Sequence, residues 1–284
     1  MRTLVSLCLP VLITVFLVSN CKKDDSNDVK ACFTYSSTGI TEKEYQFKNL
    51  SENAESFLWD FGDGKTSTER DPKHTFEGQY PFSVTLVAIQ GRKKDTIVKP
   101  VSSEIMVLKP NIYIYPTRPI TFSVNIIFPL GGNVTKSIPE YNNGWNVTID
   151  KNGLINNELN YLFYESKQPD LFQVKKGWCV AQADLKTFFK GNMGLYHFSD
   201  SEITDFIEYW IPKLTEYNYY LIYPQTNEII DKTIQLNFST KPNHINRLFY
   251  GVTGTNVNDK IEEPPIVDFK RDGFFVMEWG VFFK

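Results

Sequence analysis

The stretch Phe57-Leu58-Trp59-Asp60-Phe61-Gly62-Asp63-Gly64 decides the fold that the sequence predicts for the first part of this 284-residue chain. Trp59 and Phe61 alternate with the charged Asp60, which is the period of two expected of a half-buried strand. Gly62-Asp63-Gly64 then indicates a turn, because Gly and Asp tolerate backbone conformations that most residues avoid. We therefore predict a strand that ends in a tight turn.

Short alternating segments on both sides of this turn predict an Ig-like β-sandwich. They lie at Cys32–Tyr35, Tyr45–Phe47 and Phe82–Ala88. The motif W-x-F-G-D-G is followed in order by P-x-H-x-F, G-x-Y and an alternating V-x-L strand, and together these motifs resemble the PKD (polycystic kidney disease) domain over residues 31–104. The resemblance implies an extracellular Ig-like spacer or adhesion module that accompanies another domain.

The motif residues of this first domain are expected to serve its structure. Trp59 should lie in the core, Asp63 should form the turn, and His74 and Tyr80 should satisfy local hydrogen bonds. Asp60 and Asp63 are two carboxylates, too few for the six to eight oxygen ligands that calcium prefers. We therefore expect no metal site in this domain.

The N-terminal residues have the features of a secretory signal peptide. A positive charge at Arg2 precedes about 15 mostly apolar residues, Leu4–Val18. This apolar stretch is shorter than the roughly 20 residues that span a bilayer, and Pro10 interrupts it. We therefore predict a signal peptide over residues 1–20 in preference to a transmembrane anchor.

The residues around the predicted cleavage site indicate a lipid anchor. Val18-Ser19-Asn20-Cys21 resembles the lipobox of bacterial lipoproteins, which implies that Cys21 is lipidated. Lys22-Lys23-Asp24-Asp25 resembles the charged tag that directs some Gram-negative lipoproteins to the cell surface, and it lies in a polar tether over residues 21–30. We expect an exported protein that is lipid-anchored to the outer membrane and exposed at the cell surface.

The composition excludes several classes of function. The chain has 30 Lys and Arg against 33 Asp and Glu, a net charge of -3, which excludes a nucleic-acid binder because such proteins need a basic surface. The histidines are His74, His197 and His244, and no Cys/His cluster has zinc-ligand spacing, so we expect neither a metal nor another cofactor. Cys32 and Cys179 are expected to be buried, unbridged residues. The 22 Phe, 15 Tyr and 5 Trp suit β-structure or an aromatic recognition surface.

From about Lys109 the pattern is typical of an α+β domain. In Lys109–Pro116, tyrosines alternate with isoleucines, which predicts a strand with two different faces, and Gly131-Gly132 predicts a hairpin-like turn. A short helix is predicted at Asp184–Phe189. Ser199 and Glu202 have capping-box spacing, so a second helix should run over Ser199–Leu214, with a kink or an end at Pro212. Further strands are predicted at 121–128, 145–149, 161–165, 219–223, 233–238, 247–252 and 274–283. The predicted fold is mainly β: an Ig-like β-sandwich followed by an α+β domain with a short helical insert.

Residues 106–284 resemble an uncharacterised bacterial family. The shared motifs are K-P-x-I-Y-x-Y-P, P-E-Y-x-x-G-W, Y-L-F-x-E, E-x-x-D-F-I-x-Y-W-x-P and E-W-G, at residues 109–116, 139–145, 161–165, 202–212 and 278–280. The resemblance implies a separate domain over residues 106–284, and it implies no activity.

Two carboxylates in the aromatic strands of this second domain are candidate catalytic residues. Glu165 and Glu278 would act as a carbohydrate hydrolase if they flanked a sugar, one as the acid and one as the base or nucleophile. The alternative is that each pairs with a cation such as Arg247 or caps a backbone group. The sequence contains no serine-nucleophile or phosphate-loop motif.

The favoured function is a non-catalytic binding or adhesion module at the cell surface, with the PKD-like domain as spacer. Its partner would be a glycan or an envelope protein, contacted by aromatic and charged side chains. The candidate binding residues are Tyr113, Tyr115, Trp145, Glu165, Trp178, Arg247 and Trp279. The carbohydrate hydrolase with Glu165 and Glu278 as paired carboxylates is the alternative.

Overall fold

The computed structural model describes residues 28–38, 43–78 and 80–284, so the predicted signal peptide and the lipidation at Cys21 lie outside the described residues. The chain divides into two compact units. The first contains the described residues up to Glu77 together with Val84–Val98, and the second contains Gly78–Ser83 together with Lys99–Lys284. Within the described ranges, no helix is both long enough and apolar enough to cross a bilayer.

The N-terminal part of the chain forms two antiparallel sheets. Its strands are β1 (Phe33–Ser37), β2 (Glu44–Asn49), β3 (Ser56–Asp60), β4 (Thr66–Ser67), β5 (Lys73–Thr75), β6 (Phe82–Gln90) and β7 (Lys93–Val101). One sheet has the order β1-β2-β5 and the other has the order β4-β3-β6-β7. Phe47 from the first sheet and Trp59 from the second are both fully buried, with ring centroids 5.6 Å apart. The contact confirms the predicted Ig-like sandwich.

The predicted turn after β3 is present, and its backbone geometry explains why Asp and Gly occupy these positions. The Asp60 carboxylate accepts a hydrogen bond from Gly62 N at 2.9 Å, and the Asp63 carboxylate accepts one from Lys65 N at 3.2 Å. Gly62 and Gly64 have φ angles of 76° and 87°, a region that side chains with a Cβ rarely adopt. The turn therefore requires glycine at these two positions.

The second unit is built on a seven-stranded sheet with the order β10-β12-β8-β17-β16-β14-β13. The β16–β17 pair is parallel and the other pairs in this sheet are antiparallel. A second sheet has the order β11-β9-β15. The strands are β8 (Glu104–Tyr115), β9 (Ile120–Ile127), β10 (Asn133–Ile138), β11 (Trp145–Ile149), β12 (Leu162–Pro169), β13 (Trp178–Ala181), β14 (Tyr219–Thr226), β15 (Gln235–Phe238), β16 (His244–Thr255) and β17 (Phe275–Phe283). The helices are α1 (Leu185–Leu195), α2 (Asp200–Trp210) and α3 (Asn227–Ile230).

Two hydrophobic cores lie on opposite faces of the seven-stranded sheet. Tyr113 packs in the core that α1 and α2 cover, whereas Ile112 and Ile114 pack in the core that the three-stranded sheet covers. We call these the helix face and the small-sheet face. Side chains alternate between the faces of a strand, so the Tyr/Ile alternation of β8 produces both contacts, as the sequence predicts.

The two helices between β13 and β14 form the predicted helical insert. Ser199 and Glu202 form the capping box: Ser199 Oγ accepts from Glu202 N, and Ser199 N donates to the Glu202 carboxylate at 2.7 Å. Phe206 and Trp210 of α2 are buried against the sheet. The α-helix ends at Trp210, and Pro212 lies in a following 3₁₀ turn, which agrees with the predicted helix end.

Two predictions from the sequence are wrong. Gly131 and Gly132 do not close a hairpin, because β9 and β10 on either side belong to different sheets. A Cβ at Gly132 would lie 2.6 Å from the Lys167 carbonyl oxygen, so the chain passes too close to β12 there for any other residue. Cys32 is buried as expected but is disulfide-bonded, whereas Cys179 is free and half-buried.

Candidate functional site

Three of the aromatic residues proposed as binding platforms lie in the cores. Tyr113, Trp145 and Trp279 expose 3%, 3% and 0% of their surface. Trp145 Nε1 donates to the carbonyl oxygen of Pro139 at 2.8 Å, and Tyr113 OH donates to Asp205 at 2.8 Å. The structure brings Tyr113 and Trp279 together, with ring centroids 6.4 Å apart, inside the helix-face core. These rings have no exposed face for a ligand.

Arg247 and Glu278 form a buried ion pair on neighbouring strands of the seven-stranded sheet. They are opposite each other in the β16–β17 register, and Arg247 Nε donates to one Glu278 oxygen. Tyr164 OH donates to the other oxygen at 2.8 Å. Arg247 Nη1 also donates to Asp231 at 2.7 Å and to the Ile234 carbonyl oxygen at 2.5 Å. Each oxygen of the Glu278 carboxylate therefore accepts a hydrogen bond from the protein itself.

The environment of this pair fixes its charges. Burial acts to lower the pKa of Arg247, but Glu278, Tyr164 and Asp231 together outweigh burial, and the pKa is raised. Burial and the adjacent Glu278 charge raise the pKa of Tyr164 well above its usual value. The guanidinium therefore stays protonated and the phenol stays neutral, as donors to one carboxylate. This arrangement is the ion pair that the sequence offered as an alternative to catalysis.

Glu165 lies on the other face of the sheet from Glu278. Its neighbour in β12, Tyr164, points to the small-sheet face and contacts Glu278, so Glu165 points to the helix face. There it interacts electrostatically with Lys109 and Tyr209. The sheet separates the two carboxylates, and they do not flank a common space as a glycosidase pair must.

Tyr115 takes part in a polar cluster that ties β8 to the start of α2. Tyr115 OH donates to Glu202 at 2.7 Å, and Arg271 Nη1 donates to the same carboxylate at 2.7 Å. Arg271 also lies over the Tyr115 ring, 5.1 Å from its centroid. Burial and the Glu202 charge raise the pKa of Tyr115. Glu202 thus has both a capping role and an ion-pair role.

Trp178 differs from the other predicted platforms because it lines a concave surface. It begins β13, the edge strand of the seven-stranded sheet, and it is half-buried. A groove of about 370 Å³ runs between β13 and the start of α1, with Asp184, Thr187 and Phe188 on its walls. The Phe188 ring lies 5.4 Å from the Trp178 ring and holds it in place. The groove therefore combines one accessible indole with a carboxylate and a hydroxyl.

Sequence reasoning missed a group around Lys109. Lys109 comes from the first motif of the second domain, Tyr161 and Glu165 come from Y-L-F-x-E, and Asp205 and Tyr209 come from the helix motif. The fold brings these three motifs together on the helix face, with Lys109 Nζ 4.4 Å from the Tyr209 ring centroid. Charged residues recur among aromatic ones in all three motifs, and this pattern was the sequence signal by which the cluster could have been predicted.

In the first unit, the motif residues Asp63 and His74 form a buried pair. His74 Nε2 and the Asp63 carboxylate are 2.7 Å apart, and their side chains expose 9% and 1% of their surface. The His74 ring also stacks on Phe61, with centroids 3.9 Å apart. Burial acts to raise the pKa of Asp63, but the His74 hydrogen bond and backbone amides outweigh it and lower the pKa. Among the described residues, no three His, Cys, Asp or Glu are grouped as metal ligands.

Comparison with known proteins assigns the first unit. The model of the PKD domain family matches residues 34–102. Collagenases ColQ1 and ColA of Bacillus cereus are 36% and 39% identical over 63 and 64 residues, which cover 20% and 21% of this chain. The chain spans only 6% and 7% of the length of these relatives. The PKD1 domain of the Vibrio cholerae metalloprotease PrtV is 29% identical and covers 26% of this chain and 94% of that domain, with a TM-score of 0.24. Residues 34–102 therefore form a PKD domain.

Proposed function

We propose that this protein is an exported, non-catalytic binding protein of the bacterial envelope. The PKD domain acts as a spacer, and the second unit binds a glycan through the groove at Trp178. The signal-peptide pattern and the lipobox-like residues before Cys21 support attachment to the outer membrane, with the binding unit facing outward. No cofactor takes part in this function.

The observation that carries the proposal is the half-buried Trp178 ring in its groove. A sugar ring presents a face of C–H groups that packs against an indole, and its hydroxyl groups need hydrogen-bond partners beside that contact. Asp184 and Thr187 offer such partners on the same groove wall. Its volume of about 370 Å³ lies within the range of about 300–1,000 Å³ that is typical of sites for small ligands.

The placement of the two glutamates supports a binding role over hydrolysis. Glu278 is fully buried and bonded to Arg247 and Tyr164, and Glu165 lies across the sheet from it. Neither carboxylate lines the groove at Trp178. A hydrolase would need two acids on one substrate-binding surface, at most about 10 Å apart.

A panel of immobilised polysaccharides tests this proposal. The purified protein is passed over cellulose, chitin, xylan, mannan and peptidoglycan, and both retention and release of soluble sugar are measured. We expect retention on at least one polysaccharide without release of sugar. If none of these polysaccharides retains the protein, the proposed ligand class is contradicted. Release of soluble sugar would contradict the non-catalytic role.

Variants locate the binding surface. Trp178→Ala should weaken retention by about tenfold or more, because a central aromatic residue commonly contributes this much of a binding free energy. Leu195→Ala is the matched control, since Leu195 is an apolar residue of α1 that is 59% exposed and lies outside the groove. Equal retention of both variants and the unchanged protein would place the binding surface elsewhere.

A further inference from the structure

Lys109 has an unusual backbone position in the middle of the seven-stranded sheet. Its φ angle is 49°, in the left-handed region that costs a non-glycine residue free energy. The β8 register against β12 and against β17 shifts at this point, so β8 carries a bulge here. Bulges redirect side chains and are common beside functional sites. The bulge places the Lys109 side chain among aromatic residues from two other elements.

The Lys109 ammonium is surrounded by rings and lacks a polar partner. Its Nζ lies 4.4 Å from the Tyr209 ring centroid, 5.2 Å from that of Phe163 and 5.6 Å from that of Tyr161. In the part of the chain that the structure describes, the ammonium makes neither a hydrogen bond nor an ion pair within 4.0 Å. Cation–π contacts offset part of the cost of half-burying the charge, but they engage none of its three N–H donors with an oxygen of the described residues.

Two further lysines lie on the same rings. Lys213 Nζ is 3.8 Å from the Tyr209 ring centroid, and Lys136 Nζ is 5.7 Å from the Phe163 centroid. Burial lowers the pKa of Lys109, and repulsion by these two ammonium groups acts in the same direction, against the attraction of Asp205 and Glu165. The site thus concentrates three cations at a surface where like charges repel one another.

The nearby carboxylates attract Lys109, but among the described residues they form no ion pair within 4.0 Å with any of the three lysines. One oxygen of Asp205 accepts the hydrogen bond of Tyr113 OH at 2.8 Å. Glu165 is half-buried and forms no ion pair within 4.0 Å among the described residues. A lysine that served only to fill space would gain nothing from two more ammonium groups on the same rings. Lys213 Nζ already donates to the Tyr209 carbonyl oxygen at 2.9 Å, which leaves it two further N–H donors. An anion between the three ammonium groups would relieve the repulsion and accept from these donors and from those of Lys109.

We propose that Lys109, Lys136 and Lys213 bind an oxyanion group, a carboxylate or a sulfate, of an acidic polysaccharide. The three ammonium groups supply charge-assisted hydrogen bonds, and Lys109 shares the Phe163 ring with Lys136 and the Tyr209 ring with Lys213. This site is distinct from the groove at Trp178, whose lining residues it does not share. It adds recognition of charge to the proposed binding of glycans.

The test uses polymers that differ in charge. Binding of the purified protein is measured against dextran sulfate, polygalacturonate and neutral dextran at the same ionic strength. We expect tighter binding to at least one acidic polymer than to neutral dextran, and the acidic polymer that binds identifies sulfate or carboxylate as the group. Binding to neutral dextran that equals binding to both acidic polymers would overturn the inference.

Variants assign the binding to this cluster. Lys109→Met keeps the length of the side chain and should weaken acidic-polymer binding by about tenfold, the value of one charge-assisted hydrogen bond. Lys186→Met removes the same charge from an exposed position on α1 and should leave binding within about twofold. Equal losses in the two variants would overturn the inference, since they would indicate non-specific attraction.

Two further variants keep the test decisive. If thermal unfolding shows that Lys109→Met does not fold, the test is made with Lys136→Gln and Lys213→Gln instead. Both lysines are exposed, and each substitution should weaken binding severalfold. Leu195→Ala, which lies outside both sites, should leave acidic-polymer binding intact. Unchanged acidic-polymer binding in Lys109→Met, Lys136→Gln and Lys213→Gln, with retention on a neutral glycan still weakened in Trp178→Ala, would overturn this inference and leave the proposed function standing.

Discussion

The buried Arg247–Glu278 pair gives the sharpest prediction for stability. Glu278→Gln keeps the shape of the side chain but removes its charge, and it leaves a guanidinium inside the sheet with only the half-exposed Asp231 as a charged partner. Removing one member of a buried ion pair typically costs 3–5 kcal/mol, because the remaining charge stays desolvated. A glutamine can still accept from Tyr164, and Asp231 remains, so we expect a loss of about 3 kcal/mol in the free energy of unfolding.

Thermal and urea denaturation measure this loss. For a unit of this size, about 1 kcal/mol shifts the midpoint by about 2–4 °C, so Glu278→Gln should lower the melting temperature of the second unit by about 6–12 °C. Glu165→Gln is the matched control: Glu165 is half-buried and has no ion pair within residues 28–38, 43–78 and 80–284, so its substitution should change stability by less than about 0.5 kcal/mol. The double variant Arg247→Met with Glu278→Leu should be more stable than Glu278→Gln, because it buries no unpaired charge.

Two outcomes would refute this reasoning. One is a free energy of unfolding for Glu278→Gln within about 0.5 kcal/mol of that of the unchanged protein, and the other is a loss of stability in Glu165→Gln as large as that in Glu278→Gln. In the first case, the carboxylate would not be the counter-ion of Arg247. In the second case, burial and ion pairing would not be what distinguishes the two glutamates.

Two further predictions concern local contacts. Because the pKa of Asp63 is lowered from 3.8, its ionised form stabilises the PKD domain above about pH 4, and this contribution is lost as the pH falls through the lowered value. Asp63→Asn should therefore flatten the acid limb of an unfolding curve that is followed by fluorescence between about pH 2 and about pH 6. An unchanged acid limb would contradict the role of the His74 contact. Ser199→Ala removes the cap of α2 and should cost about 1 kcal/mol in urea denaturation, whereas Glu208→Ala, at an exposed position of the same helix, should cost little. Equal effects would contradict the capping box.

The parts of the fold that follow from local patterns were predictable from the sequence. The alternation of Tyr113 with Ile112 and Ile114 assigned the two faces of β8, and the spacing of Ser199 and Glu202 located the start of α2. These features depend on the period of a strand or on the first turn of a helix, and both are contained in neighbouring residues.

The site residues depended on long-range pairing that local patterns do not contain. Arg247 and Glu278 meet because β16 and β17 pair in parallel in one particular register, and a shift of one residue would separate them. Lys109 reaches its rings through a bulge in β8, where Pro110 is the local signal of an interrupted ladder, but the rings themselves come from distant segments of the chain. Glu165 and Glu278 both lie in aromatic strands of the sequence. The contact between Tyr164 and Glu278 in the paired sheet shows that Glu165, the neighbour of Tyr164, faces the opposite side.

The central claim is that the second unit binds a glycan at Trp178 without cleaving it. A binding isotherm on the polysaccharide that retains the protein, followed by a reducing-end assay on the same samples, tests it most directly. We expect saturable binding and no new reducing ends. The affinity should be about tenfold lower in Trp178→Ala and unchanged in Leu195→Ala. Equal affinity in Trp178→Ala, or reducing ends that accumulate with time, would contradict it.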